Sequence, residues 1–158
     1  MHFYISNILM DFLLYLQYSE DMNQNQNPME QVAQQAYELA FSYEQHYRGC
    51  AQCTLGALQE AFSLPDDTLF RAASPLASGG GLTCAGSCGG FSGALMFIGS
   101  QLGRRRAFFD NDDEFKYLSF DLGRKLHDRF IETYGSVICS EIHRTIFGRT
   151  YNMFDQQD

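Results

Sequence analysis

The chain has 158 residues, 45% of them apolar, with 14 Phe and 9 Tyr but no Trp. That length fits one domain of ordinary size, with enough apolar mass for a core that needs no disulfide staples. The formal net charge of −8 argues against a nucleic-acid partner. Phosphate binding needs a basic footprint, and the lone run Arg104-Arg105-Arg106 is followed at once by Asp110, Asp112, Asp113 and Glu114.

Residues 1–18 are apolar, but no Lys or Arg precedes Arg48 and Asp11 interrupts the run. The positive region of a signal peptide is therefore missing, and the segment makes a poor membrane span. An exposed amphipathic or packing helix, a membrane-associated segment and a start downstream at Met22 or Met29 stay open. Ser19–Pro28, with its Asn/Gln run at 23–27, reads as a polar linker. The expected organisation is an N-terminal apolar segment and linker at 1–28 and a helical domain at 29–158.

From Pro28 onward the apolar spacing is helical. Val32, Ala36, Leu39, Ala40, Tyr43 and Tyr47 predict one amphipathic helix, which Gly49 breaks. Ala51, Leu55, Leu58 and Phe62 predict a second, closed by Pro65. Asp66 and Asp67 are candidate caps for a short helix over 68–77 that Pro75 limits or kinks. Seven of the 14 glycines then fall between Ser78 and Gly93. A helix is predicted from Cys88 to Leu102, with Ser87 as its cap. A long one follows from about Asp112 to Tyr134, with Phe115, Leu118, Leu122, Leu126, Phe130 and Tyr134 on its buried face and Gly135 as its stop. Ile138, Ile142 and Ile146 mark a last short piece over 137–147. No strand alternation appears. The predicted class is all-α, a compact bundle of about five helices with a Gly-rich loop.

Five cysteines carry the chemistry. Cys50 and Cys53 open one helical run, Cys84 and Cys88 lie in the glycine-rich turn that opens another, and Cys139 stands before the last. An odd count argues against a fully paired secreted scaffold, and the C-x-x-C and C-x-x-x-C spacings fit cytoplasmic redox or metal chemistry better. Residues three apart share a helix face, so Cys50 and Cys53 can meet one partner. Unpaired N–H groups and the helix dipole favour thiolate at a helix start, which predicts a Cys50 pKa below the free value of ~8.5. The rival reading of such thiols is small buried hydrophobes. Gly89 and Gly93, four apart, present a flat face for another helix, a cofactor or a second subunit. No Lys follows the glycine run and no strand precedes it, which counts against a phosphate loop. His143 lies four residues after Cys139 and shares its face if that piece is helical. His46 reads as a solvated helix-end residue and His127 as structural.

Gly49-Cys50-Ala51-Gln52, the run from Cys88 to Met96 and Tyr134-Gly135-Ser136-Val137-Ile138-Cys139 together resemble the redox-active C_GCAxxG_C_C family over roughly 29–148. Cys50, Cys88 and Cys139 carry over by match to its motif. The chain departs from the pattern with Gly90 in place of alanine, with Cys53 and Cys84 as additional thiols, and with no cysteine after Cys139. The resemblance implies a mostly helical domain with redox chemistry. From the residues, the leading expectation is a thiol redox protein using two or more of the five cysteines and a redox partner protein. A helix-start thiolate at Cys88 or Cys50 would attack, and a neighbouring thiol would resolve. The alternative is a zinc or Fe–S module with Cys50, Cys88, Cys139 and His143 as ligands. No C-x-x-C-H follows the first pair, so haem attachment has no support.

Overall fold

Alanine, rather than valine or leucine, sets the face on which the first helix is buried. In the computed structural model, which describes residues 28–111 and 113–155, helix α1 (Pro28–His46) buries Ala33, Ala36 and Ala40. Val32, Leu39 and Tyr43 flank that stripe half-buried, and Tyr47 is 77% exposed. Ala36 and Ala40 of the expected stripe are thus buried, Ala33 joins them, and Tyr47 falls outside it. Small side chains let the next helix lie close, and the larger ones pack along its edges.

Two successive left-handed residues, Arg48 (φ 59°) and Gly49 (φ 94°), turn the chain directly into α2 (Cys50–Ala61). This helix packs against α1 on one side and α4 (Gly89–Leu102) on the other. It is consequently buried over most of its circumference, from Cys50 and Ala51 to Leu58 and Gln59. Helix α5 (Asp113–Tyr134) covers the far side of α4, giving the layer order α1, α2, α4, α5. Its core face is Leu122, Leu126, Phe130 and Tyr134, while Leu118, expected there, is 42% exposed. Gly135 ends it in the left-handed conformation (φ 75°), as its position predicts.

The short helix is briefer than its sequence suggested. Asp66 caps α3 (Asp67–Ala72) by accepting from the Leu69 amide at 2.9 Å. Pro75 then turns the chain into a single 3₁₀ turn over Ser74–Leu76. Proline has no N–H to donate and clashes with the preceding turn, so an α-helix could not run through to Ala77. Cys88, not Ser87, occupies the cap position of α4.

Between Ala77 and Cys88 the backbone is left-handed at Ser78, Gly79, Gly80, Gly81, Leu82 and Cys84. Gly79 is required there for space as well, since a Cβ on it would lie 2.8 Å from the Cα of Cys84. This loop holds the start of α6 (Cys139–Phe147) by backbone hydrogen bonds. The Cys88 amide donates to Val137 O at 2.7 Å, Cys139 N to Gly86 O at 3.0 Å and Ser140 N to Cys84 O at 3.0 Å. Ser87 and Ile138 form an isolated antiparallel bridge.

Among the described residues there are six α-helices and no strand, which bears out the all-α class. No described helix is long and apolar enough to cross a membrane. The expectations for residues 1–18 and for the linker lie outside the described residues. The guanidinium groups of Arg104 and Arg105 lie over the rings of Phe109 and Phe108.

The closest helix contact is α2 against α4. A Cβ on Gly93 would stand 2.4 Å from the Ala51 carbonyl oxygen, a backbone atom that cannot rotate away. Gly99, further along α4, has nothing within 4 Å of its would-be Cβ. Urea unfolding should therefore separate two identical substitutions. Gly93→Ala is expected to destabilise by about 1–3 kcal/mol through forced separation of the helices. Gly99→Ala is expected to stabilise by about 0.5–1 kcal/mol through helix propensity.

Candidate functional site

Three helix starts meet in the core, and each begins with or follows a cysteine. Cys50 is the first residue of α2, Cys88 caps α4 and Cys139 is the first residue of α6. The glycine face of α4 brings the first two together. A Cβ on Gly89 would fall 2.3 Å from Cys50 Sγ and 2.9 Å from the Ala51 nitrogen, so only glycine lets that sulfur sit against the start of α4. The space at Gly89 and Gly93 is thus filled by α2 of the same chain, which is the use that these glycines have here.

Cys50 Sγ accepts from the Ser78 amide at 3.4 Å and from the Gly89 amide. Cys88 Sγ receives the amides of Gly90 and Phe91, the first unpaired donors of its own helix. On the far side, the hydrogen-bonded loop sets Cys139 beside Cys84, with their sulfurs within 4.8 Å and both thiols free. His143, one helical turn on, places Nε2 3.8 Å from Cys139 Sγ. Cys84 Sγ, Cys139 Sγ and a His143 ring nitrogen all lie within 4.8 Å of one another, and all three residues are buried. Tyr151 closes this end, its ring 5.8 Å from that of His143.

Cys53 extends the cluster the other way. Its thiol faces the Arg48 carbonyl oxygen at 3.3 Å and hydrogen-bonds with the Glu44 carboxyl of α1. Neighbouring sulfurs feel each other's charge along the whole row. Negative charge on Cys50 would raise Cys53 and Cys88, and charge on Cys84, Cys88 or Cys50 would raise Cys139. Residues up to 89 positions apart in sequence (50 to 139) thus share one interior.

All five stand as free thiols, four of them buried and Cys88 half-buried. The expectation of an acidified helix-start thiol is overturned. Burial pushes Cys50 up despite the amides it accepts, and Glu44 adds to the shift. Cys88 is pushed up to about 12 by burial and the nearby Cys50, which outweigh the amides of Phe91 and Gly90. Cys53 and Cys139 are raised further, again chiefly by burial. Desolvation works the same way on the acid and the imidazole, raising Glu44 and lowering His143, so each favours its neutral form. A helix dipole contributes about 0.3–1 kcal/mol at a terminus, while removing a thiolate from water costs several times that.

Glu44 was the part hardest to see in the sequence, whereas Cys53 and Cys84 stood among the five candidate thiols. The two thiols lie outside the family motif, and Glu44 looks like any helix-surface acid. The spacing of nine residues from Glu44 to Cys53 across a left-handed turn is a signal only once the turn is known. His46 and His127 lie outside the cluster. His46 Nδ1 sits 2.7 Å from the Ser42 carbonyl at the exposed end of α1, and His127 faces Asp128 at 3.1 Å.

The raised thiols set a pH signature. A Cys88 that ionises at 9.0 when unfolded and at about 12 when folded makes the folded form the better proton binder between those values. The stability it adds is complete below pH 9 and is lost as pH rises toward 12, at up to about 1.4 kcal/mol per pH unit. Urea unfolding at pH 7.5, 9 and 10.5 under reductant should show that alkaline decline, and Cys88→Ala should make it shallower.

The model of the family described as "Putative redox-active protein (C_GCAxxG_C_C)" matches residues 48–157, which contain all five cysteines and His143. No curated protein and no solved structure matches the chain. With most of its length under that match, the chain belongs to the C_GCAxxG_C_C family.

Proposed function

We propose that this protein stores and passes electron pairs by interconverting dithiols and disulfides within its buried sulfur row. The observation that carries the reading is the convergence of the cysteine-bearing helix starts. Cys50 Sγ packs against Gly89, next to Cys88, with Cys53 one turn along the same helix, and the sulfurs of Cys84 and Cys139 lie within 4.8 Å of each other. Pairs at both ends suit disulfide formation. Cys50 and Cys53 are one turn apart at a helix start, and Cys84 and Cys139 are already close neighbours. Oxidising either pair breaks two S–H bonds, forms one S–S bond and gives two protons and two electrons to an acceptor. Cys88, between the pairs, lets a disulfide migrate by exchange.

The neutral thiols bear on how this chemistry runs. Thiolate is the attacking species, so each step waits on proton removal. Glu44 is suited to that task at Cys53, because its raised affinity for protons makes it a stronger base than a surface carboxylate. Cys88 lies nearest the surface of the five as a residue, half-buried where the other four are buried. Its thiol is itself desolvated, so a protein partner would reach it only as the loop before α4 opens. A protein disulfide attacked there would leave as two partner thiols once Cys50 or Cys139 resolved the mixed disulfide.

A second reading rests on one arrangement, the approach of Cys84, Cys139 and His143 to within 4.8 Å. Two sulfurs and an imidazole nitrogen are a donor set for zinc or an iron centre, with a fourth position left for another ligand. The set differs from the one expected from sequence, with Cys84 in place of Cys50 and Cys88.

Thiol counting before and after treatment with diamide, combined with peptide mapping, tests the first reading. The expected result is loss of two or four thiols into Cys50–Cys53 or Cys84–Cys139 disulfides, reversed by dithiothreitol. Five thiols unreacted in the folded protein would overturn it. Native mass spectrometry after anaerobic purification tests the second. One bound metal that Cys84→Ala removes and Cys53→Ala leaves would support it, and a metal-free protein that takes up neither zinc nor iron would overturn it.

A further inference from the structure

Beside Cys53 the surface opens into a cavity of about 840 Å³, within the range of small-molecule sites. Tyr43, Tyr47 and Phe70 supply aromatic walls, Arg48 and Glu60 bring one charge of each sign, the Glu60 carboxylate being held by the Tyr43 phenol, and Cys53 forms part of the lining. The walls are held in place. Tyr43 donates its phenol proton to Glu60, and the amides of Gln52 and Gln59 bond to the backbone of Phe70 and Asp66 at 3.1 and 3.0 Å. Gly56 leaves the room that the Phe70 ring occupies, since a Cβ there would meet that ring at 3.0 Å.

From this arrangement we infer that the cavity binds a planar, conjugated two-electron carrier with an anionic substituent, the chemistry shared by quinones and flavins, and that Cys53 and Cys50 reduce it. The inference rests on the dithiol reading above and names the acceptor for one end of the row. Aromatic walls favour a flat ring, and the Arg48 cation favours an anionic group at the mouth. The thiol in the wall is backed by a second one turn deeper on the same helix face. The chemistry balances with these groups alone. The Cys53 and Cys50 S–H bonds break and one S–S bond forms. The acceptor ring takes the two electrons and the two protons that the thiols release. Cys53 is the one cysteine in the lining of this cavity, which is large enough for a cofactor-sized molecule.

The test uses 2,6-dichlorophenolindophenol, a flat, anionic two-electron dye, with the pre-reduced full chain under anaerobic conditions. One equivalent should bleach per disulfide formed, and the disulfide should map first to Cys50–Cys53. Cys53→Ser should still bind the dye, seen as quenching of tyrosine fluorescence, but no longer bleach it at the wild-type rate. Arg48→Gly, which suits the left-handed backbone at that position, should raise the half-saturating dye concentration about 10-fold or more by removing a charge-assisted contact. Phe70→Ala should also weaken binding. Bleaching at an unchanged rate in Cys53→Ser, or an unchanged dye affinity in both Arg48→Gly and Phe70→Ala, would overturn the cavity assignment. Diamide separates the two levels. A protein that diamide oxidises but the dye does not refutes the acceptor site alone, and one that neither oxidises refutes the dithiol reading as well.

Discussion

The contact on which the rest of the structure depends is the backbone approach of α4 to α2 across Gly89 and Gly93. A side chain at either position would collide with Cys50 Sγ or the Ala51 carbonyl. Because those side chains are missing, two helix starts lie side by side and both deliver a sulfur to the same interior point. The remaining packing follows from that closeness. Helix α2 becomes the central layer, buried by α1 on one side and α4 on the other, while α5 seals α4 from outside. The loop between Ala77 and Cys88 must then fold back on itself, which it does through a run of left-handed residues. Its carbonyls in turn capture the first residues of α6 and so bring in Cys139.

The same closeness decides the electrostatics. A sulfur at an exposed helix start would gain from the free amides around it and lose little, and would be an acidic, reactive thiol. Here each amide donor comes with loss of solvent, and the loss dominates. The cluster is therefore a set of protonated thiols around a protonation-prone carboxyl and a neutral imidazole. Such a set holds protons along with electrons, so that oxidation and proton release are one event. It is also a set from which a soft metal ion would displace protons, since metal ligation requires deprotonated sulfur and neutral imidazole. The two ends of the row differ accordingly. One is closed over by Tyr151 and contains the histidine, and the other borders an open, aromatic cavity.

Much of the scaffold was legible from residue spacing because helices announce themselves locally. Asp66 as a cap, Gly135 as a stop, Pro75 as an interruption and the lower half of the α5 stripe all act through neighbours within one turn. The misassigned positions of α1 share one cause. Val32 and Leu39 outweigh alanine on a hydropathy reading, and Tyr47 continues their spacing, yet the partner helix selects the alanine face because only small residues permit its approach. Leu118 belongs to the same periodic stripe as Leu122 but lies beyond the core formed by Leu122, Leu126, Phe130 and Tyr134.

For the site, the sequence alone determined which chemical elements are present and where each helix begins: five thiols, a histidine one turn after the last, and glycines wherever something must come close. Tertiary structure decided which sulfurs become neighbours, that Cys84 rather than Cys88 joins His143, and that Glu44 meets Cys53. It also reversed the sign of the expected pKa shift. The reason is one of range. Capping, dipole and helix-face effects act within a few residues and can be read along the chain, whereas desolvation and sulfur–sulfur contact depend on segments tens of residues apart arriving at the same place.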